Sequence, residues 1–375
     1  MPNADTPAAL GFRMPAEWER HAATWIAWPK NRDDWPGKFA PIPWVYAEIV
    51  RHLARSERVE ILVDGPDDRR KAAEVLERAG ANLANVRFHK VPTDRVWTRD
   101  SGPSFVVKGG DPADPGNLAL VDWEFNAWAK YDNHLLDRKV PRAMGKILAL
   151  KRWKPKARPV DGEEGESVRV VLEGGSIEVN GHGALITTAE CLLGDVQARN
   201  PRLDRPTIER ALADYLDAPH VIWLGRGIAG DDTHGHVDDI TRFVDPTTVV
   251  TAVEPDPADP NHEPLAENLE ILRAATDQDG RALRVVELPM PRPLYFEGQR
   301  LPASYANFYI ANGLVLVPTF NDPNDRVALD RLAGLFPDRR VIGIHSVDLV
   351  WGLGTLHCLT QQQPAQGSIG PDPVA

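Results

Sequence analysis

The stretch that decides the fold runs from Glu173 to Thr188 and reads EGGSIEVNGHGALITT. Apolar residues alternate with polar ones on both sides of Asn180-Gly181, a pair that favours a tight turn between antiparallel strands. Apolar residues at helical spacing follow from Thr207 to Leu216, and a short apolar segment, His220 to Leu224, ends the unit. The pattern predicts a β-hairpin, then a helix, then a strand.

The same order of elements recurs twice further along the chain. Hairpins are predicted at His236 to Val253 and at Ser304 to Phe320, and each is followed by a helical pattern and an apolar strand. The three turns fall near residues 181, 246 and 313. A repeat this regular indicates units that bury their faces against their neighbours.

The two ends of the chain complete the pattern. Asp100 to Phe125 fits a further hairpin, while Thr24 to Trp28 and Thr355 to Thr360 each read as a single strand without a partner. Pairing of these terminal strands would close a ring of five hairpin–helix–strand units and leave no free sheet edge. The Pro-containing segment Lys151 to Ser167 is predicted to be an inserted, solvent-exposed loop.

Composition excludes several classes of protein. The chain has 375 residues and a formal charge of −11, from 54 acidic and 43 basic side chains. This balance argues against a nucleic-acid partner and mildly favours a small cationic substrate. No apolar run is long enough to cross a membrane, and a secretion signal is not recognisable. With two cysteines, Cys191 and Cys358, a disulfide framework is not expected, and a cytoplasmic location fits best.

Four ionisable residues occupy equivalent places in the repeat. Asp100, Glu173 and the pair His236 and Asp238 stand at the heads of first hairpin strands, eight to ten residues before the turns. Equivalent positions in a ring of units would bring these side chains together at one end of a central channel. On a strand, His236 and Asp238 would face the same side. A histidine beside a carboxylate is suited to proton transfer near neutral pH.

Cys358 is the candidate nucleophile, because a thiol becomes reactive once its surroundings lower its pKa. His357 would point to the opposite face of a strand and is not expected to be the base, while Cys191 is expected to be a small buried hydrophobic residue. A thiol, a histidine and three carboxylates suit a planar cation such as guanidinium. Trp97 could offer such a cation an aromatic face.

Five stretches, taken in order, resemble the agmatine deiminases, whose family includes the Porphyromonas-type peptidyl-arginine deiminases. They are DRVWTRDSGP (94–103), EGG (173–175), GHVD (235–238), LPASY with Asn307-Phe308 (301–308) and HCLTQQ (357–362). The resemblance runs from about Met14 to Pro364. It implies the five-bladed α/β propeller, or pentein fold, of guanidino-modifying enzymes. No low-complexity linker divides the chain, so we expect one catalytic domain over residues 1–375 with short flexible termini.

The resemblance also implies a role for each of five residues. Cys358 would attack the guanidinium carbon while Asp100 and Asp238 hold its nitrogens. His236 would protonate the departing ammonia and later deprotonate the hydrolytic water, and Glu173 would orient His236 and bind a substrate nitrogen. The implied reaction converts agmatine to N-carbamoylputrescine and ammonia through a covalent thiouronium intermediate. It implies no metal and no organic cofactor.

Two departures from the family pattern concern the substrate more than the chemistry. Gly352-Leu353-Gly354 stands where the family usually has three glycines, and Ala129-Lys130 stands where two glycines are common. Together with Trp97, Gly352 is expected to contact the substrate. Asp232 is the candidate acid for the far amine of agmatine, although an acid that only caps a turn would look the same.

Three other functions remain open. The same chemistry could act on arginine in peptides or on another guanidino compound. A metal-dependent hydrolase could use the run His234-Gly235-His236-Val237-Asp238, although Cys358 would then have no task. A non-catalytic propeller should have lost some of the five polar residues. Whether the chain forms a homo-oligomer is also open.

Overall fold

The structure is a computed structural model that describes residues 5–111 and 114–366, and it is a mixed α/β fold. Within these residues eight α-helices occur: α1 (Ile42–Leu53), α2 (Pro66–Arg78), α3 (Thr98–Ser101), α4 (Val140–Leu148), α5 (Ala189–Leu193), α6 (Arg205–Leu216), α7 (His262–Ala274) and α8 (Asn324–Leu335). None of the helices in the described part of the chain is both long and apolar enough to cross a bilayer.

The strands of the same residues are short. They are β1 (Phe12–Arg13), β2 (His21–Ala27), β3 (Arg58–Val63), β4 (Val86–Lys90), β5 (Ser104–Lys108), β6 (Leu118–Val121), β7 (Lys151–Trp153), β8 (Lys156–Ala157), β9 (Val168–Arg169), β10 (Glu178–Val179), β11 (Ala184–Thr188), β12 (His220–Leu224), β13 (Thr241–Phe243), β14 (Thr248–Val253), β15 (Arg284–Pro289), β16 (Tyr295–Phe296), β17 (Gln299–Arg300), β18 (Tyr309–Ala311), β19 (Leu314–Thr319), β20 (Arg340–His345) and β21 (Gln361–Pro364).

The strands of the described residues form five sheets of three or four strands and two small ribbons. The sheets have the orders β1-β5-β6-β7, β10-β11-β12, β13-β14-β15, β18-β19-β20 and β21-β2-β3-β4, and the ribbons are β8-β9 and β16-β17. In the three middle sheets a short antiparallel hairpin is followed by a helix and a parallel strand. The predicted hairpin–helix–strand unit is confirmed.

Helix α6 illustrates how the sequence builds the connecting helices. The Asp204 carboxylate accepts a hydrogen bond from the Thr207 backbone N–H and caps the first turn, while Pro206 occupies a position where its missing N–H does no harm. Buried residues recur at helical spacing along one face, at Ile208, Ala211, Leu212 and Leu216. Asp217 then ends the helix in a left-handed conformation, and the chain enters β12.

One of the two predicted terminal strands is confirmed, since β2 contains Thr24 to Ala27, but its partner β21 follows the segment that was predicted. Strand β2 pairs with β21 in antiparallel register, and Trp25 lies opposite Gln361. The expected strand Thr355 to Thr360 is wrong, because its backbone forms local turns in which Leu359 N–H donates to Thr355 O and Thr360 N–H donates to His357 O. Pairing begins one residue after this turn.

Two further expectations need correction. Lys151–Trp153, expected to open a solvent-exposed loop, forms β7 and pairs in parallel with β6. Part of the expected flexible N-terminus is ordered, since Phe12–Arg13 pairs with Val107 and Lys108. Residues 1–4 and 367–375, which also belong to the predicted flexible termini, lie outside the described residues.

Candidate active site

The predicted site residues lie in the short turns that lead into the hairpins. Asp100 is on the four-residue helix α3, and Glu173 and His236 each precede a 3₁₀ turn. Asp238 lies within the second of these turns, at Val237–Asp239. The expectation that these residues head the first strand is therefore wrong by several residues, because the strands begin at β5, β10 and β13.

The structure brings five predicted residues together around the His236 ring. Nδ1 of His236 is 3.9 Å from an Asp100 oxygen and 4.0 Å from Asp238 Oδ1, and its Nε2 is 3.6 Å from Glu173 Oε2. The Cys358 Sγ is 3.7 Å from Asp238 Oδ2. All five side chains are buried. We call Asp100, Glu173, His236, Asp238 and Cys358 the pocket cluster.

A glycine makes this close approach possible. The Gly175 N–H donates to Asp100 Oδ1 at 3.1 Å. A Cβ at this position would lie 2.6 Å from the His236 ring, 2.9 Å from Asp100 and 3.0 Å from Asp238. Any larger residue would therefore push apart three members of the pocket cluster.

Asn307 holds the turn that carries Cys358. Its Nδ2 donates to the Cys358 Sγ at 3.1 Å, and its Oδ1 accepts from the His357 N–H at 3.0 Å and from the Thr355 hydroxyl at 2.7 Å. Asn307 belongs to one of the stretches that carry the family resemblance, although no role was predicted for it. Its amide fixes the thiol with neutral hydrogen bonds.

Burial and neighbouring acids set the protonation of Cys358. Burial raises the pKa of the Cys358 thiol well above its usual value, and the negative charges of Asp238, Asp239 and Asp100 raise it further. The thiol of the free protein is therefore protonated at neutral pH. A cation bound beside it would lower this pKa.

His236 is kept cationic by its surroundings. Burial lowers the pKa of His236, but the charge of Asp100 and contacts with Cys191 and Glu173 outweigh it, so that the pKa lies well above its usual value. Cys191 is buried as predicted. It is nevertheless more than a hydrophobic residue, since its thiol contacts the His236 ring.

Two of the carboxylates beside His236, Asp100 and Glu173, differ in pKa. Burial raises the pKa of Asp100 to about 6, although the His236 charge opposes this. Burial also acts to raise the pKa of Glu173, but the Arg199 guanidinium and His236 together lower it to about 2. Arg199 is buried, and its Nε donates to Glu173 Oε1 at 3.1 Å. Sequence reasoning missed Arg199, because it lies in a loop outside every motif.

His357 contacts the same cluster, contrary to prediction. Its Nδ1 is 2.7 Å from Asp238 Oδ2 and its Nε2 is 2.8 Å from Glu17 Oε2. The expected opposite orientation assumed a strand at this position, whereas the residue lies in a turn. His357 therefore bridges the carboxylates of Asp238 and Glu17.

A cavity of about 130 Å³ leads to Cys358. Its walls are formed by Asp33, Asp34, Arg95, Trp97, Asp100, Trp128, Tyr131, Asp232, Thr233, Gly352, Leu353, Gly354 and Cys358. The three predicted substrate-binding residues, Trp97, Asp232 and Gly352, are thus on the wall. A Cβ on Gly352 would lie 2.6 Å from the Trp35 ring, so the backbone can pack this closely against Trp35 only if the residue is glycine.

The residues proposed for a metal site are not brought together as a set. His234 lies 3.9 Å from Glu190, on the far side of Gly235 from His236. Among the described residues, the group of possible ligands within mutual reach is Glu173, Cys191 and His236. Two of these three belong to the pocket cluster, where Arg199 already supplies a positive charge to Glu173.

Known proteins are similar to this chain over most of its length. The sequence model of the Porphyromonas-type peptidyl-arginine deiminases matches residues 13–364. The chain belongs to this family. An agmatine deiminase of Pseudomonas aeruginosa is 39 % identical, over 96 % of this chain and 97 % of the relative. One from Pseudomonas fluorescens is 38 % identical over the same shares.

A solved structure is also similar over the full length. The agmatine deiminase of Enterococcus faecalis superposes with a TM-score of 0.84 and 32 % sequence identity, covering 96 % of this chain and 98 % of that one. At this identity and coverage the fold of this family member is shared along nearly the whole chain.

Proposed function

We propose that the protein is an agmatine deiminase, which hydrolyses agmatine to N-carbamoylputrescine and ammonia with Cys358 as nucleophile. One observation carries the proposal: a buried thiol, a histidine and three carboxylates lie together, and two of these groups, Cys358 and Asp100, line one cavity. This arrangement is complementary to a guanidinium group, whose planar N–H donors match carboxylate oxygens.

Unsatisfied atoms indicate where the guanidinium binds. Glu173 Oε2, Asp238 Oδ1 and both ring nitrogens of His236 are buried without a hydrogen-bond partner. Buried polar atoms are normally paired, so the two carboxylate oxygens, Glu173 Oε2 and Asp238 Oδ1, are acceptors that a guanidinium would complete. Asp100 and Asp238 would accept from the guanidinium nitrogens, and Glu173 from a further nitrogen while it orients His236.

The pKa shifts support substrate-assisted activation of the thiol. Cys358 is protonated in the free protein because burial and acids raise its pKa. A guanidinium cation held against Asp100 and Asp238 would offset those negative charges and lower the thiol pKa. The nucleophile is thus formed when the substrate is in place.

The reaction then needs one acid that later acts as a base. Sγ forms a bond to the guanidinium carbon as the thiol passes its proton to the Asp238 carboxylate, 3.7 Å away. One amino group takes a proton from His236 and leaves as ammonia, which takes up the proton held by Asp238 and departs as ammonium. Water next attacks the thiouronium carbon and returns a proton to His236. The C–S bond breaks, a urea is released, and the thiol is restored.

A comparison of the two cysteines tests this proposal. Cys358→Ala should lower ammonia release from agmatine by more than about 10⁴-fold, because no other group can form the covalent intermediate. Cys191→Ala removes the other thiol, which contacts His236 but forms no bond to the substrate, and should lower turnover far less. Time-dependent labelling of Cys358 by a haloacetamidine, tracked by peptide mass, should be prevented by agmatine.

Two outcomes would redirect the assignment. Comparable turnover of agmatine, free arginine and an arginine peptide would favour a peptidyl-arginine or broader guanidino deiminase. Loss of activity with a chelator, together with activity in the Cys358→Ala variant, would favour a metal-dependent hydrolase.

The proposal extends to the architecture and setting of the protein. Five sheets of similar topology, with the chain ends joined in one of them, support a five-bladed α/β propeller that forms a single catalytic domain. Two free, buried cysteines support a cytoplasmic location. Assembly into a homo-oligomer would be tested by light scattering.

A further inference from the structure

Asp232, the cavity-wall acid that is expected to bind the far amine of the substrate, already forms an ion pair. The Lys130 ammonium pairs with Asp232 Oδ1, and the Tyr131 hydroxyl donates to Asp232 Oδ2 at 2.6 Å. Both oxygens of Asp232 are therefore engaged. The Lys130 ammonium already offsets the negative charge of this carboxylate, so a second cation would have to compete with it.

The backbone before Lys130 explains how its side chain is directed. Ala127, Trp128 and Ala129 have φ values of 51°, 58° and 54°, which non-glycine residues seldom adopt. The Trp128 indole N–H donates to Asp100 Oδ2 at 2.9 Å, and the Trp128 carbonyl accepts from Gln197 at 3.0 Å. These contacts hold the strained turn against the cavity, with Lys130 at its end.

Arg95 is a cation on the cavity wall itself, and it is held more firmly than Lys130, which reaches the wall through Asp232. Arg95 donates to Asp34 at 2.7 Å and to Asn133 at 3.2 Å, and its guanidinium lies 4.2 Å from the centre of the Tyr131 ring. Its side chain is 14 % exposed, whereas that of Lys130 is 40 % exposed. Lys130 is therefore the cation that can leave its partner when a ligand enters.

We propose that Lys130 determines which end group the cavity accepts. Its ammonium occupies Asp232 and competes with the ammonium of agmatine, and it offers a positive charge to guanidino substrates that end in a carboxylate. The inference rests on the proposed guanidino hydrolase function and adds a second substrate class, the guanidino acids. In these compounds the Lys130 ammonium would bind the carboxylate, while the guanidinium meets the pocket cluster as before.

Three substrates of similar length separate this role from a structural one. Agmatine ends in an ammonium, guanidinobutyrate in a carboxylate, and pentylguanidine in a methyl group. In Lys130→Ala, kcat/KM should rise about fivefold for agmatine and fall about fivefold for guanidinobutyrate, the upper range for a partly exposed ion pair. The value for pentylguanidine should stay within twofold, and the agmatine gain should reside in KM.

Matched variants sharpen the experiment. Lys130→Arg keeps the charge and should preserve the wild-type order of the substrates. Lys146→Ala removes an exposed lysine from helix α4 and should change none of the three values. In Lys130→Ala/Asp232→Asn the agmatine gain should disappear, because the carboxylate that Lys130 releases is absent.

A binding measurement tests the role of Lys130 separately from the proposed hydrolase activity, because it does not depend on turnover. Agmatine binding to Cys358→Ala, measured by calorimetry, should tighten when Lys130→Ala is added, even if no substrate is turned over. If the wild type hydrolyses agmatine but Lys130→Ala moves all three substrates in parallel, or moves none and leaves the Kd unchanged, Lys130 has no part in specificity.

Discussion

The polar groups on the two sides of Asp238 are paired to different extents. On one side lies the pocket cluster, in which four buried polar atoms have no hydrogen-bond partner. On the other lies an ionic group that we call the anchoring network, formed by Glu17, Arg99, Glu178, Arg242 and His357. Arg242 alone donates to Glu178, to Glu17 and to the Phe308 carbonyl, at 2.8, 2.9 and 2.6 Å.

The difference shows how a site can be held rigidly while some of its buried polar atoms lack hydrogen-bond partners. Unpaired buried groups are costly, so they persist only when their surroundings fix them. His357 joins the two regions, since one ring nitrogen faces Asp238 and the other faces Glu17. The anchoring network holds Asp238 in place, and the pocket cluster leaves Glu173 Oε2 and Asp238 Oδ1 open as acceptors for a guanidinium.

The largest expected effect comes from breaking the anchoring network. Arg242→Met should lower the free energy of unfolding by about 3–5 kcal/mol, because Glu17 and Glu178 would stay buried without their shared cation. Chemical denaturation followed by fluorescence measures this change. Arg273→Met removes an arginine from exposed ion pairs with Glu270 and Glu287 and should cost less than about 1 kcal/mol. Equal losses in the two variants would contradict the contrast between the regions.

A smaller effect should follow from crowding the pocket cluster. Gly175→Ala should lower kcat/KM by about 10²-fold, because its Cβ would displace the His236 ring and two carboxylates from their positions. Steady-state ammonia release reports the loss, and a circular dichroism melt shows whether the fold survives. Gly334→Ala, in helix α8 with open space around its Cβ, is the control and should leave kcat/KM unchanged. Full activity in Gly175→Ala would mean that the observed spacing is not needed for turnover.

The smallest effect is the pH dependence contributed by Asp100. Its pKa is raised to about 6 by burial, and the ionised form is needed to accept from a guanidinium. Activity should therefore fall about tenfold for each pH unit below about 6. For stability the sign is opposite: the folded state binds this proton more tightly than the unfolded state, so ionisation of Asp100 reduces stability as pH rises from about 4 to 6.

A variant of Trp128 sharpens the pH prediction. The Trp128 indole donates to Asp100 and so lowers its pKa. In Trp128→Phe the acid limb of the kcat/KM profile should move to higher pH. A limb that stays in place would assign the ionisation to another group.

Much of the fold was predictable because local signals agreed with the tertiary context. Strand His220–Leu224 has the predicted bounds. Helix α6 begins at Arg205, two residues before the predicted start, and Asp204 caps it. The segment Thr355 to Thr360 was mistaken for a strand because buried apolar residues beside glycines resemble one. Its turn depends on Asn307, which is distant in sequence.

The sequence by itself determined the repeated hairpin–helix–strand unit and the identity of the five polar residues, because both follow from periodicity and residue type. Only the tertiary structure decided how those residues meet. It placed His357 against Asp238, buried Arg199 beside Glu173 and paired Asp232 with Lys130. Each of these contacts joins residues from different units or loops, and their pairing depends on charge and burial that spacing along the chain does not specify.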